Sequence, residues 1–268
     1  MTPDLFAVRS MLFLPASNPR AMAKARESAA DFVVLDLEDA VKREDKEAAR
    51  EAAVEAVRSD WPMPVAIRVN AVGTDWHSLD VDAVAQSGCQ FAVLPRAASA
   101  HLVREVRDAI GKPLLAMIET AAGVLAAPAI AHEAAGLIAG TNDLRADLRL
   151  PLGATREPIS VSLQMIVLAA RAGGVPALDG VFNHLKDVEG FASEADEGRR
   201  LGFDGKSLIH PDQIEPCNQA FGPSGEDLDR ARRLVEAFSG GAERFEDEMI
   251  ERMHVEAAQR VLQRAGRV

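Results

Sequence analysis

Along this chain, short continuous apolar runs alternate with longer stretches whose apolar positions recur at helical spacing, the pattern of repeated βα units. Eight runs have strand length: Ser10 to Pro15, Phe32 to Leu37, Val65 to Asn70, Phe91 to Pro95, Leu114 to Glu119, Gly136 to Gly140, Ala177 to Asn183 and Gly205 to Ile209. Between them helices are expected over Pro19 to Ala30, Asp45 to Arg58, His101 to Ile110, Gly123 to His132, Ser160 to Ala172 and Val188 to Leu201. Apolar runs without polar alternation belong to parallel strands buried on both faces. An open doubly wound sheet would read similarly, but eight units within about 210 residues, with no GxGxxG after the first strand, favour a (β/α)₈ TIM barrel. Beyond Phe221 the turn-rich Gly222-Pro223-Ser224-Gly225 breaks the pattern. A charged helix from Glu226 to Phe238, a Gly240-Gly241 hinge and a last helix through Gln263 follow. The expected organisation is therefore a barrel over residues 1–222 and a C-terminal helical lid or oligomerisation segment over residues 223–268.

Charge narrows the partners. Against 30 Lys and Arg stand 41 Asp and Glu, a net charge of −11, so no strongly basic face is available for a phosphate backbone and nucleic acid is not an expected partner. The two cysteines, Cys89 and Cys217, form neither a CxxC pair nor a disulfide framework. With no signal-peptide-like start and no apolar run of membrane length, a cytoplasmic protein is expected. Tyrosine is absent and the six histidines show no HxH or HExxH pairing, which removes a common acid/base group and a histidine metal site. The mixed charges from Lys42 to Arg50 read as a solvated helix face.

A barrel of this kind assembles its active site at the carboxyl ends of its strands. There the runs end in Asp36-Leu37-Glu38-Asp39, Arg68-Val69-Asn70, Pro95-Arg96, Glu119-Thr120, Thr141-Asn142-Asp143 and Asn183-His184, which gathers acids and arginines on one rim. Crowded carboxylates repel unless protonated, paired with arginine or bound to a hard dication. Glu119 and Asp143, on consecutive and therefore neighbouring strands, are the preferred ligands for Mg²⁺, which takes one or two carboxylates and leaves positions for a chelating acid. The competing reading has each acid capping a helix or pairing with arginine, and spacing alone leaves both open. Arg68 emerges at the rim, where a planar fork suits a carboxylate or developing enolate, or a salt bridge to Asp36 or Glu38. Arg20 and Lys24 put two cations on one helix face, either as solvated surface or as contacts for a phosphate-bearing ligand. Gly205-Lys206-Ser207 imitates the tail of a P-loop, but Arg200 occupies the place of its first glycine. The Asp36, Glu38, Asp39 group lacks EF-hand spacing. His184 and His210 read as strand terminators.

The segments Arg9-Ser10-Met11-Leu12-Phe13-Leu14-Pro15, Leu35-Asp36-Leu37-Glu38-Asp39-Ala40-Val41, Ile67-Arg68-Val69-Asn70, Ile118-Glu119-Thr120, Gly140-Thr141-Asn142-Asp143-Leu144 and Lys206-Ser207-Leu208-Ile209-His210-Pro211, in that order, resemble the citrate lyase beta-subunit family of the HpcH/HpaI aldolase group. The resemblance covers nearly the whole chain. It implies a (β/α)₈ barrel in a homotrimer or hexamer that cleaves a 3-hydroxyacyl-CoA of the citryl-CoA, malyl-CoA or citramalyl-CoA type to acetyl-CoA and a 2-oxo acid. By the same resemblance Glu119 and Asp143 would hold Mg²⁺, Arg68 would contact substrate, and Phe13, Arg20 and Lys24 would lie along CoA. Asp36, Glu38 and Asp39 would support the site.

The C-terminal lid departs from the family's pattern. Where members end in something like Leu-Asp-Gly-Lys-Met-Ile-Asp, whose last Asp reaches a neighbouring subunit as acid/base, this chain reads Phe245-Glu246-Asp247-Glu248-Met249-Ile250-Glu251. Glu251 keeps the carboxylate on a longer arm and Asp247 replaces the glycine, both of which bear on lid geometry. Ala16 stands where glycine is common and narrows the expected CoA path. Two further readings are an aldolase acting on a free hydroxy or oxo acid without CoA, and a non-catalytic paralogous subunit. Intact Arg68, Glu119 and Asp143 argue against the latter.

Overall fold

In the computed structural model, which describes residues 3–266, eight parallel strands close into a barrel in chain order. They are β1 (Ser10–Pro15), β2 (Phe32–Asp36), β3 (Val65–Arg68), β4 (Phe91–Leu94), β5 (Leu114–Ile118), β6 (Gly136–Ala139), β7 (Ala177–Asp179) and β8 (Gly205–Leu208), with β8 pairing back onto β1. Side chains alternate across each strand, so one parity fills the lumen and the other meets the helices. Met11, Phe32, Val34, Ala66, Phe91, Val93, Leu115, Met117, Ile138 and Leu178 form the inner core, while Val33, Leu35, Ile67, Ala92, Leu94 and Ile118 belong to the outer layer. Carried one step further, the inward parity places Asp36 on β2 and Arg68 on β3 at the carboxyl rim, where they are register partners.

The outer ring comprises α1 (Pro19–Arg26), α2 (Lys46–Ala56), α3 (His77–Gln86), α4 (Ala100–Ile110), α5 (Ala121–Ala131), α6 (Thr141–Asp147), α7 (Ser160–Gly173), α8 (Val188–Leu201) and α9 (Ile214–Phe221). Local chemistry sets the boundaries. Ser99 Oγ accepts from Leu102 N at the start of α4, and Gly111 at φ +69° ends it in the left-handed conformation that a side chain would strain. The C-terminal segment adds α10 (Gly225–Ala237), an antiparallel pair of β9 (Glu243–Phe245) and β10 (Glu248–Ile250), and α11 (Arg252–Ala265). Its own small core of Ala231, Leu234, Phe245, Ile250, Val255 and Ala258 is separate from that of the barrel. Arg264 near the end of α11 donates to the Asp204 carbonyl, at the amino-terminal end of β8.

The structure departs from the periodicity at several points. The residues that terminate the apolar runs, Asn70, Glu119, Gly140 and Asn183, lie past the strand ends, because strand pairing stops where the chain leaves the barrel for the rim loops and helices. The short helix α3 escapes the pattern because it buries only Val81, Val84 and Asp80. The β9–β10 hairpin is likewise not anticipated. The Gly240-Gly241 turn is pinned, since Glu243 Oε1 accepts from the backbone N–H groups of Ser239, Gly240 and Gly241 and from the Ser239 hydroxyl. These bonds hold the Glu243 carboxyl below its ordinary value. The Lys42 to Arg50 run is not a uniformly solvated face. Lys46 is only 7% exposed and Arg50 pairs with the fully buried Asp80 at 2.7 Å, because this side of α2 faces the loops after β2 and β3. Both cysteines are buried and free. No helix among the described residues is long and apolar enough to cross a membrane.

Phe91 packs in the lumen against Phe32, ring centroids 5.4 Å apart. Phe91→Ala should lower the unfolding free energy by about 3–5 kcal/mol through lost burial and the cavity left behind, measured by urea titration.

Candidate active site

At the carboxyl end of the barrel a cavity of about 340 Å³ is lined by Phe13, Asp36, Asp39, Arg68, Met117, Glu119, Gly140, Thr141, Asn142, Asp143 and Ser207, among others. Its centrepiece is Arg68. Nε and Nη2 donate to the two oxygens of Asp36, each at 2.6 Å, and Nη1 lies 2.9 Å from Glu38 Oε2. The remaining Nη1 donor meets only Met117 Sδ at 3.6 Å, and the Phe13 ring lies 5.4 Å from the guanidinium carbon. A guanidinium has five N–H groups. Two are donated to Asp36 and Nη1 is ion-paired with Glu38, which leaves the Nη edge able to serve a ligand. Asp36 is itself locked, accepting from the backbone N–H groups of Glu38 at 2.8 Å and Ala40 at 3.1 Å. Burial alone would lower the Arg68 pKa, but Asp36 and Glu38 hold it above its ordinary range, so the group is permanently cationic.

Glu119 follows β5 and Asp143 lies in the first turn of α6, just after β6. The strands pair with Ile118 opposite Ala139, so Glu119 and Gly140 are the next pair along. A Cβ at Gly140 would sit 2.3 Å from Glu119 Oε2, which is why no side chain fits there. Glu119 Oε1 accepts the Arg96 backbone N–H at 2.6 Å, and Arg96 reaches this place at φ +50°, a left-handed conformation unfavourable for a residue with a side chain. Arg96 Nη1 lies 3.7 Å from Asp143. Burial pushes the Glu119 carboxyl up to about 7, with the Asp143 charge adding to the shift and the Arg96 N–H opposing it. Burial and the charge of Asp39 raise Asp143 as well. Glu38 is pushed up to about 8, burial outweighing the Arg68 pairing.

These features fit a hard dication. Among the described residues no three His, Cys, Asp or Glu side chains converge to hold a metal alone, but Mg²⁺ needs only one or two protein carboxylates. The Thr141 Oγ1 and Ser207 Oγ atoms, both on residues lining the cavity, are buried without a hydrogen-bond partner, a costly state that a bound ligand or its water relieves.

Of the residues singled out by sequence, Phe13, Asp36, Asp39, Arg68, Glu119 and Asp143 line one cavity, with Glu38 beside them through Arg68. Arg20 and Lys24 are exposed on α1, outside its lining. Glu251 is exposed at the start of α11, outside the cavity of its own chain, and its backbone N–H donates to His254 Nδ1 at 2.9 Å. Ala16 is fully buried. His184 borders a neighbouring hollow and His210 caps the turn after β8. Lys206 is fully buried in an ion cluster with Asp179 and Glu194, which confirms that it is no phosphate-binding lysine. Sequence reasoning missed Met117, Ser207 and the Arg96 backbone. Strand parity would have found the first two, while nothing in the sequence signals the third.

A family model described as HpcH/HpaI aldolase/citrate lyase matches residues 9–211. A (3S)-malyl-CoA thioesterase from Cereibacter sphaeroides is 38% identical over 268 residues, covering 96% of this chain and 94% of its own. The citrate lyase subunit beta of Leuconostoc mesenteroides is 31% identical, covering 96% and 93%. The crystal structure of Mycobacterium tuberculosis CitE in complex with magnesium, acetoacetate and coenzyme A superposes with a TM-score of 0.87 at 37% identity, covering 98% of this chain and all of that one.

The Glu119 proton must leave before a cation can bind. Mg²⁺ affinity should therefore rise about tenfold per pH unit up to about pH 7 and level off above it, measured by calorimetry. Without metal the sign reverses for stability. A carboxyl raised from 4.5 to about 7 costs stability progressively as pH climbs through that interval, so Glu119→Gln should raise the melting temperature of the metal-free protein at pH 8 and not at pH 4.

Proposed function

Because this chain belongs to the HpcH/HpaI aldolase/citrate lyase family, we propose that it is a Mg²⁺-dependent lyase that cleaves a 3-hydroxyacyl-CoA thioester of the citryl-CoA, malyl-CoA or citramalyl-CoA type into acetyl-CoA and a 2-oxo acid. The observation that carries the reading is the convergence of two raised carboxylates, Glu119 and Asp143, with the cationic fork of Arg68 in one cavity. In the proposed reaction the hydroxyl loses its proton, the adjacent carbon–carbon bond breaks, and its electron pair passes to the thioester as an enolate that is protonated on carbon.

Glu119 and Asp143 would hold Mg²⁺, which when bound supplies a Lewis acid for the hydroxyl and carboxylate oxygens of the acid half. Arg68 turns its open Nη edge toward the enolate oxygen and stabilises the charge that develops there. Asp36 and Glu38 keep that edge aimed, and Asp39 adds negative charge beside Asp143. Phe13 gives the thioester an apolar wall, and Arg20 and Lys24 on the exposed face of α1 serve the phosphates of CoA. Glu251 of a neighbouring copy, in a trimer or hexamer, moves the proton between hydroxyl and carbon. The cytoplasm, where acyl-CoA pools lie, is the proposed compartment.

A second reading is favoured by the similarity to the C. sphaeroides (3S)-malyl-CoA thioesterase, namely hydrolysis of the thioester in the same cavity. One assay separates the two. Incubation with Mg²⁺, acetyl- or propionyl-CoA and a panel of 2-oxo acids should yield condensed CoA thioesters if the protein is a lyase. Release of free CoA thiol from a 3-hydroxyacyl-CoA without 2-oxo acid would identify the hydrolase.

Glu119→Gln should abolish both Mg²⁺ binding and turnover, and undiminished activity on CoA thioesters would overturn the metal assignment. Arg68→Lys, which replaces a bidentate fork by a point charge, should lower kcat/KM by about 10²-fold in a steady-state assay.

A further inference from the structure

Lys46 opens α2, outside the cavity lining, yet its side chain is almost wholly buried. An ammonium group has three donors. Here all three are used at short range: Nζ lies 2.7 Å from the Leu37 carbonyl, 2.7 Å from the Glu38 carbonyl and 2.6 Å from Asn70 Oδ1. The first two acceptors are consecutive backbone groups of the loop that follows β2, and they flank the Glu38 side chain that grips Arg68. Asn70 ties the same point to the loop after β3, since its Nδ2 donates to the Leu37 carbonyl at 2.9 Å and to Asp80 Oδ2 at 2.6 Å. Asp80 also accepts the Asn70 backbone N–H at 2.9 Å and pairs with Arg50. The Trp76 ring lies 5.3 Å from Nζ and closes the group off on that side.

An unbroken chain of contacts therefore runs from α3 and α2, through Lys46 and the Glu38 backbone, to the Glu38 carboxylate and the guanidinium. We propose that Lys46 is a positioning residue for catalysis, which acts through the loop after β2 to hold Glu38 against Arg68 and so aims the Arg68 edge at the substrate. The proposal rests on the reading of Arg68 as the cation that meets the developing enolate. Two of its three donors go to successive carbonyls of the loop whose Glu38 side chain pairs with Arg68. Lys46 touches neither the cavity nor the two proposed metal ligands, so its loss should leave metal binding alone.

A double-mutant cycle in the intact protein tests this. Lys46→Met removes the donors and keeps the length. It should lower kcat by about 10–100-fold, the scale of loss expected when a reacting group is misplaced, while Mg²⁺ affinity by calorimetry stays within about threefold of the parent. In an Arg68→Ala background, assayed with enzyme in excess, adding Lys46→Met should change the rate by less than about twofold, because a residue that acts through Arg68 has nothing left to aim. If Lys46→Met does not fold, Asn70→Ala removes one arm of the clamp and should give a smaller kcat loss that also vanishes in the Arg68→Ala background. Full kcat in Lys46→Met, or a loss that multiplies with that of Arg68→Ala, overturns the proposal. Normal turnover by Arg68→Ala alone would instead overturn the role of Arg68, and the proposal with it.

Discussion

A guanidinium held in a protein interior costs several kcal/mol of lost hydration unless its donors are met at close range. Arg68, with 11% of its side chain exposed, meets that demand with Asp36 on the neighbouring strand and Glu38 one loop away. The Asp36 pairing follows from register, since the two residues stand opposite each other where β2 and β3 end. The consequence reaches past the pair. Five carboxylates, Asp36, Glu38, Asp39, Glu119 and Asp143, surround the mouth, opposed among the described residues chiefly by Arg68 and Arg96, with Lys46 behind the loop after β2. Burial first, and the neighbouring carboxylates after it, push Glu38 and Glu119 upward, and the crowded negative charge is suited to relief by a dication.

The barrel makes this crowding possible by giving each group its own stave. Glu119 and Asp143 share one mouth because β5 and β6 are adjacent, and Glu119 lies so close over Gly140 that position 140 has room only for a hydrogen. Arg96 contributes in two unrelated ways, its backbone N–H on Glu119 and its side chain toward Asp143. The left-handed conformation at Arg96 is local strain tolerated where it aims a donor at a functional carboxylate.

Most strand starts were legible because a polar or turn residue is followed by consecutive apolar positions, as where Asp31 precedes Phe32 to Leu35. The strand ends were overrun because the same polar residues that end the apolar run, such as Asn70 and Asn183, could equally be the last paired position or the first turn. The site was legible wherever a charged residue interrupted an apolar run, which gave Asp36, Arg68 and Glu119. It was hidden where the geometry rests on a backbone group or on a side chain that looks solvated in one dimension. Lys46 is the clearest case. In a stretch of alternating charge it carries no apolar signature, and only the fold shows that its neighbours are carbonyls rather than water.

The C-terminal segment has a core of its own, a pinned glycine turn, and an anchor at the amino-terminal end of the barrel, far from the crowded mouth. Such an arrangement uncouples the two parts under evolutionary drift. Substitutions at exposed tip positions such as Asp247 and Met249 disturb no barrel packing, so these positions can change independently of the rim, where a single methyl at position 140 would not fit.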